Sequence, residues 1–288
     1  MSETAYHEPD SLDAALALLG ADEGARCLAG GQTLVAMLNA NLVEPSALVS
    51  LRRIRDLDGI AWQGDGSVRI GAMATHAAVA RDARLRQSMP LIAETAAAIA
   101  HPAIRNMGTI GGAICHADPA ADYPPALLAA GASIEIAGQS GRRSVPAAEF
   151  FVDYFTTAVG AGEIVTAIHV PAPPKGSTGH YLKYSRVDGD YATVAIAGVL
   201  ALSGGVCSHA AIAVGACGPI AIRRAEADAA LVGSRLDDAA VTKASGVLLA
   251  ACDPVDDVRG SADYRRRLVP RLVERAVATM RSRLEGRK

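Results

Sequence analysis

LAGGQTLVAML at residues 28–38 and TIGGAICHADPAADYPPALLAAGA at residues 109–132 are the stretches whose reading decides this chain. Each sets paired glycines beside a hydroxyl residue: Gly30 and Gly31 ahead of Thr33, Gly111 and Gly112 after Thr109. Glycine accepts positive φ and has no side chain to obstruct a ligand. Consecutive backbone N–H groups at such a bend can converge on an anion. Gln32, Thr33 and Thr109 add side-chain hydrogen bonds. Two such bends, roughly 80 residues apart, suit a diphosphate held from two sides. Neither bend contains Lys or Arg, so dipoles would carry the binding. Taken singly, either bend also reads as a plain tight turn. A P-loop signature, GxxxxGK[ST], is absent, and so is GxGxxG in a strand–helix context, so neither a P-loop nor a Rossmann site is encoded.

Outward from the first bend, the spacing predicts a helix capped by Asp10 or Ser11 and running to Leu19. Leu12, Ala15, Leu16 and Leu19 fall on one face and Gly20 supplies a stop. Strands are expected at 26–29 and 47–51, with a helix at 33–38, so the first 55 residues read as an αβαβ unit. Around the second bend, strands are expected at 68–72, 133–137 and 164–170. Helices are expected near 75–81 and at 91–100, with Pro90 in the first turn of the latter. His101-Pro102 ends that helix, because a residue before proline is driven from helical φ/ψ. Pro171, Pro173, Pro174, Gly176 and Gly179 read as a linker. Beyond it, strands are expected at 181–184, 191–202 and 206–214, the last two joined by a Gly204-Gly205 hairpin. Helices are expected at 220–231, 237–251 and 262–284. This places a domain boundary near residue 175: a first domain at 1–175, with parts at about 1–55 and 56–175, and a second at 176–288.

The 288 residues carry 28 Lys and Arg against 30 Asp and Glu. That balance recruits neither nucleic acid nor an anionic membrane surface. Half the residues are apolar but only 4% are aromatic, which favours thin layers and close backbone approach through Ala and Gly. The five cysteines, Cys27, Cys115, Cys207, Cys217 and Cys252, are scattered and form no CxxC pair. No zinc or iron–sulfur site is encoded, and the expectation is buried or inert thiols in a reducing compartment. With no apolar signal core in residues 1–10 and no long uninterrupted apolar run, the chain reads as cytoplasmic, without an integral membrane segment.

The two bends, DPAAD at 118–122, and their order together resemble the flavin subunit of the xanthine dehydrogenase and carbon monoxide dehydrogenase (molybdenum hydroxylase) family. Further matches follow in sequence: Glu163-Ile164-Val165 with His169-Val170-Pro171, Lys183-Tyr184-Ser185-Arg186, Gly189-Asp190-Tyr191-Ala192, and Ser261 to Arg266. The resemblance covers nearly the whole chain. It implies an α+β architecture: an FAD-binding domain of the vanillyl-alcohol-oxidase (PCMH-like) type, made of two α/β subdomains. A smaller domain with an antiparallel sheet packed on helices follows.

By the same resemblance, Leu28, Ala29, Gly30, Gly31, Gln32, Thr33, Leu34 and Val35, with Thr109, Ile110, Gly111, Gly112 and Ala113, surround the FAD pyrophosphate. Asp122 matches a position that accepts a hydroxyl of the cofactor's sugar or ribityl part; a helix cap before Pro124 is the other reading. Ile99 and Val165 match positions of apolar or main-chain contact, and a core role suits their side chains equally. Lys183 matches a position near the flavin ring, where a cation stabilises reduced flavin; a surface lysine on a strand is the alternative. Tyr191 matches a loop approaching the ring and competes with an ordinary strand tyrosine. Ala113 stands where the family often has Ser or Asn, and Asn39 where a basic residue is common. The roles of Asp190 and His116 stay open, and no catalytic residue or metal ligand is assigned.

The resemblance further implies a large partner subunit with a molybdenum cofactor and a small one with two [2Fe–2S] clusters, in a dimer of heterotrimers. This chain would take electrons on FAD and pass them to an external acceptor. A self-contained FAD-dependent oxidoreductase of the same cofactor fold is the rival. Residues 259–288 hold ten basic and three acidic side chains, read as a solvated helix face or as a docking surface.

Overall fold

Ser11 accepts the Ala14 N–H through Oγ at 3.3 Å and so fixes the start of the first helix. In the computed structural model, which describes residues 4–286, the chain opens with β1 (Ala5–His7), α1 (Leu12–Ala21), β2 (Arg26–Leu28), α2 (Leu34–Asn39) and β3 (Ala47–Ser50). The strands form a parallel sheet in the order β1-β3-β2. The αβαβ reading therefore lacked its first strand. Only three residues long and largely exposed, β1 owes its existence to pairing with β3 and carries no pattern of its own. Ala15, Leu16 and Leu19 are the buried face of α1, and they meet Val49, Leu51 and Ile54.

The second unit comprises β4 (Ile60–Trp62), β5 (Val68–Gly71), α3 (His76–Arg81), α4 (Ala83–Ser88), α5 (Pro90–Ala98), α6 (Pro102–Met107), α7 (Ile110–His116), α8 (Tyr123–Ala129), β6 (Ser133–Gly138), β7 (Gly141–Pro146), α9 (Ala147–Phe150), β8 (Phe151–Asp153), β9 (Thr156–Thr157) and β10 (Ile164–Val170). Five strands make an antiparallel sheet, β4-β5-β10-β6-β7. Pro102 both stops α5 and opens α6 as its first residue. A proline cannot continue a helix yet suits its first turn, so the break expected at His101 is also a start. The helices α6, α7 and α8, absent from the sequence reading, are six or seven residues long. At that length they are marginal alone; α7 and α8 are held by buried side chains, whereas α6 buries none, and none shows a clear 3.6-residue pattern.

The last unit comprises β11 (Ser177–Tyr184), β12 (Val194–Ser203), β13 (Val206–Gly215), β14 (Ile222–Arg223), α10 (Ala225–Leu231), α11 (Asp238–Ala250) and α12 (Ala262–Glu285). Its sheet is an antiparallel meander in chain order. Gly204 (φ +60°) and Gly205 (φ +81°) form the expected hairpin turn between β12 and β13. One face buries Val194, Ile196 and Ile212 against α10–α12. The other presents Ala195, Ala197, Ala211 and Ala213 to Leu91 of α5 and Ala126 of α8, so the small residues let two layers approach closely. The expected linker ends early, because β11 already contains Gly179. A Cβ there would lie 2.7 Å from the Leu91 Cβ, so a glycine lets α5 lie on the strand. Strand β12 starts at Val194, leaving Tyr191 outside it.

Among the described residues no helix is long and apolar enough to cross a membrane. Cys207, Cys217 and Cys252 are buried; Cys115 is exposed, but desolvation pushes its thiol up to about 12, which leaves it an unreactive thiol. Arg287 and Lys288 of the basic C-terminal run, and Met1 to Glu3 of the N-terminus, lie outside the described residues.

Glu135 on β6 gathers Thr166, Arg142, Arg69 and His169. Burial would raise its carboxyl, but these partners hold it at about 2, below the ordinary 4.5. Stability from a depressed carboxylate is present above the unfolded value and lost as pH falls through the folded one. Unfolding against pH is therefore expected to lose on the order of 2 kcal/mol between pH 4.5 and 2. Glu135→Gln should lack that limb and start lower at neutral pH.

Candidate cofactor site

Strand β2 ends when the Leu28 carbonyl accepts the Leu51 N–H at 2.9 Å, and the chain then leaves the sheet. Gly31 takes φ +73°, and its carbonyl receives the Val35 N–H at 3.0 Å, starting α2. Thr33 sits at the cap position of α2 but makes no side-chain cap bond. Among the described residues, no protein acceptor takes the N–H groups of Gly30, Gly31, Gln32 or Thr33. Four successive donors are thus left at the end of a strand. Gln32 Nε2 makes a long bond to the Gly30 carbonyl at 3.4 Å.

The second bend is built differently. Ile110 N–H goes to the Ala74 carbonyl at 3.0 Å, Gly111 N–H to Ala72 at 2.8 Å and Ala113 N–H to Thr109 at 3.0 Å. Gly112 N–H goes to Thr109 Oγ1 at 3.1 Å, the N-cap of α7. The expectation of two equivalent sets of free donors therefore does not hold. A Cβ on Gly111 would stand 2.6 Å from both the Cβ and the carbonyl of Ala72. Its missing side chain lets α7 pack on the end of β5, and Gly112 alone is exposed. Ala113 spends its N–H inside α7, and Asn39 ends α2 exposed.

The fold brings the two bends into contact. A Cβ on Gly30 would lie 2.1 Å from the Met107 carbonyl oxygen and 2.8 Å from the Gly108 Cα. On Gly112 it would lie 3.7 Å from the Ala29 Cβ. Gly108 is itself pressed against His76, whose Nδ1 pairs with the Tyr123 hydroxyl at 3.2 Å. Burial, with help from Arg105, lowers the His76 imidazole to about 4, so it is neutral near pH 7.

Six residues beyond the end of α7 lies Asp122. It occupies the cap position of α8 but caps nothing, so the helix-cap reading is excluded. Its Oδ1 accepts the Tyr181 hydroxyl at 2.6 Å and lies 3.1 Å from Lys183 Nζ. Lys183 also donates to the Ala98 carbonyl at 2.6 Å. The Asp122 and Lys183 side chains are 7% and 8% exposed, so Lys183 is no surface lysine. Burial raises the Asp122 carboxyl above the usual carboxylate value, with Lys183 the main opposing influence. Burial and the Asp122 charge push the Tyr181 hydroxyl well above its usual value, so it remains a donor. No protein donor among the described residues reaches Asp122 Oδ2.

Around this node, Arg105 Nη1 donates to the Ile99 and Ala100 carbonyls at 2.7 Å each. Gly189 (φ +82°) abuts His101 and the Ala100 carbonyl, which brings the Gly189–Tyr191 segment to the end of α5. Tyr191 lies under the Arg259 guanidinium, 5.0 Å from ring centre to Cζ. Asp190 accepts the Tyr191 N–H at 2.7 Å. His116 packs against Phe155 in a tilted arrangement, ring centres 5.3 Å apart. Ile110 and Val165 are buried in the core rather than in the cleft. Leu28, Ala29 and Leu34 are half-buried at the first bend, and Val35 is exposed.

Residues 2–173 match the family described as FAD binding domain in molybdopterin dehydrogenase, and residues 179–280 the CO dehydrogenase flavoprotein C-terminal domain. This chain belongs to the FAD-binding medium subunits of the molybdenum hydroxylase family. It is 41% identical over 282 residues to the carbon monoxide dehydrogenase medium chain of Afipia carboxidovorans, covering 98% of each. It is 39% identical over 276 residues to the 6-hydroxypseudooxynicotine dehydrogenase complex subunit alpha of Paenarthrobacter nicotinovorans, covering 95% of this chain and 93% of the relative. The structure of reconstituted CO dehydrogenase from Oligotropha carboxidovorans superposes with a TM-score of 0.95 at 40% identity, covering 98% of both chains. The protein is an oxidoreductase subunit whose cofactor is FAD.

Sequence reasoning missed several residues that shape this flavin subunit's site: His76, Tyr123, Arg105, Tyr181 and Arg259. Tyr181 was within reach, because it lies two residues from Lys183 and so on the same strand face. The others carry no local signal, since their partners are distant in sequence.

Two outcomes are expected for the flavin subunit. Gly30→Ala forces a Cβ onto backbone atoms that cannot yield cheaply. It should weaken FAD binding by roughly tenfold or more, read by titrating the apoprotein with FAD. His76 has a depressed imidazole, so its contribution to stability falls as pH drops from 6.5 to about 4. FAD retention should fall over that window, and His76→Gln, which takes up no proton there, should flatten the loss.

Proposed function

We propose that FAD binds with its diphosphate on the first bend and its flavin half toward Asp122, Lys183 and Tyr191. In this role the chain relays electrons rather than transforming an organic substrate. The observation that carries the reading is the run of four unclaimed N–H groups from Gly30 to Thr33. Buried or ligand-facing donors are rarely left unpaired, and a diphosphate supplies acceptors without needing a cation. The second bend contributes shape: Gly111 closes the wall and Gly112 leaves it bare. Asp122 Oδ2 offers an acceptor to a cofactor hydroxyl. Ile99 and Val165 would serve through main chain. Lys183 brings a charge already balanced by Asp122, so it orients more than it shifts the cofactor's potential.

FAD, when bound, accepts electrons singly and can release two. The electrons would come from [2Fe–2S] clusters of a small partner subunit, with the molybdenum cofactor on a large one. The expected assembly is a cytoplasmic dimer of heterotrimers, delivering electrons to an external acceptor. Residues 1–175 would hold the cofactor and residues 176–288 close over it. Support comes from relatives named as medium chains or complex subunits.

The purified chain with FAD should absorb near ~450 nm, as a bound flavin does. That band should bleach when the chain is mixed with its substrate-reduced partner subunits and persist with organic substrates alone. Bleaching by a small substrate without any partner would favour a self-contained oxidase or dehydrogenase. A colourless chain after incubation with excess FAD would remove the assignment.

A further inference from the structure

Strand β11 lies at the edge of its sheet, bonded to β12 on one side only. Its outward backbone groups need partners from elsewhere. Glu94, in the middle of α5, supplies them. Its Oε2 accepts the Tyr181 N–H at 3.1 Å and lies 2.7 Å from His180 Nδ1. Its Oε1 accepts Arg283 Nη1 at 2.7 Å, and the same nitrogen donates to the Gly179 carbonyl at 2.9 Å. Residues 179 and 181 point their main-chain groups to the same edge, so one carboxylate and one guanidinium satisfy both.

The consequence lies one turn away. Ala98 follows Glu94 by four residues and shares its helix face, and the Ala98 carbonyl holds Lys183. Tyr181 and Lys183 in turn share a strand face and are the two donors to Asp122. Helix α5 and strand β11 are therefore tied at two points, Glu94 with 179–181 and Ala98 with Lys183. Gly179 removes the side chain that would hold them apart. A slip of one residue along the strand would turn Tyr181 and Lys183 away from Asp122.

We infer that Glu94 is a positioning residue of the flavin site, setting β11 on α5 so that Tyr181 and Lys183 converge on Asp122. Although burial favours its neutral form, the His180 and Tyr181 bonds and the Arg283 charge hold its carboxyl below the ordinary value. Glu94 is thus an ionised anchor that also ties the last turn of α12 to the cofactor-binding half. The inference rests on the reading that the Asp122–Lys183 node faces FAD.

The test is a double-mutant cycle on the full chain, with the FAD dissociation constant as readout. Lys183→Met is expected to weaken FAD roughly tenfold, and Glu94→Gln by a similar factor, as loss of a charged hydrogen bond does. If Glu94 acts through the strand, the double variant binds no worse than the weaker single variant. Losses that multiply, or a Glu94→Gln chain that binds FAD like the parent while Lys183→Met does not, overturn the inference and leave the site reading standing. If Lys183→Met binds FAD unchanged, the site reading falls and the inference with it. Should Glu94→Gln not fold, His180→Ala breaks the same clasp from the strand side and enters the same cycle, with the same outcomes expected.

Discussion

Asp122 Oδ1, shared between the Tyr181 hydroxyl and the Lys183 ammonium, is the contact on which the arrangement of the molecule turns. Two charged groups are almost wholly removed from water there, which is costly unless each finds complete partners. The partners come from three places: the turn before α8, strand β11 and the last carbonyls of α5. Satisfying one ion pair therefore fixes the C-terminal sheet against the cofactor-binding half. Removing either partner alone would leave a buried charge behind, which is harder to tolerate than losing the pair.

The two glycine bends look alike in sequence and do different physical work. At the first, the chain runs out of a sheet with its N–H groups unclaimed, and glycine provides a positive φ and access. At the second, the N–H groups are consumed by β5 and α7, and Gly111 serves a close approach of helix to strand. The bends also depend on each other, since the Met107 carbonyl occupies the space a Gly30 side chain would need. One donor-rich bend is thus held in shape by a second, donor-poor one.

The seam between the two halves explains the unusual composition. Ala195, Ala197, Ala211 and Ala213 face Leu91 and Ala126, and few aromatic side chains are needed where layers lie this close. Membership of the medium-subunit family fits a protein that binds and orients FAD.

The long, periodic elements were legible in the sequence: α1, α11 and α12, the β12–β13 hairpin, and the buried strand β10. The glycine bends were legible as places where the backbone must turn. Helices α6 to α8 were not, because six or seven residues carry too little pattern. Nor was β1, which is a strand only because β3 lies beside it. The local sequence determined where the backbone could bend, bare its N–H groups or stop a helix, since those depend on neighbours within a few residues. Tertiary structure alone decided which bare donors stayed free, that Asp122 would meet Lys183, and that Glu94 would seal the edge of β11. Those depend on distances between residues 59 to 189 positions apart, and no window along the chain contains them.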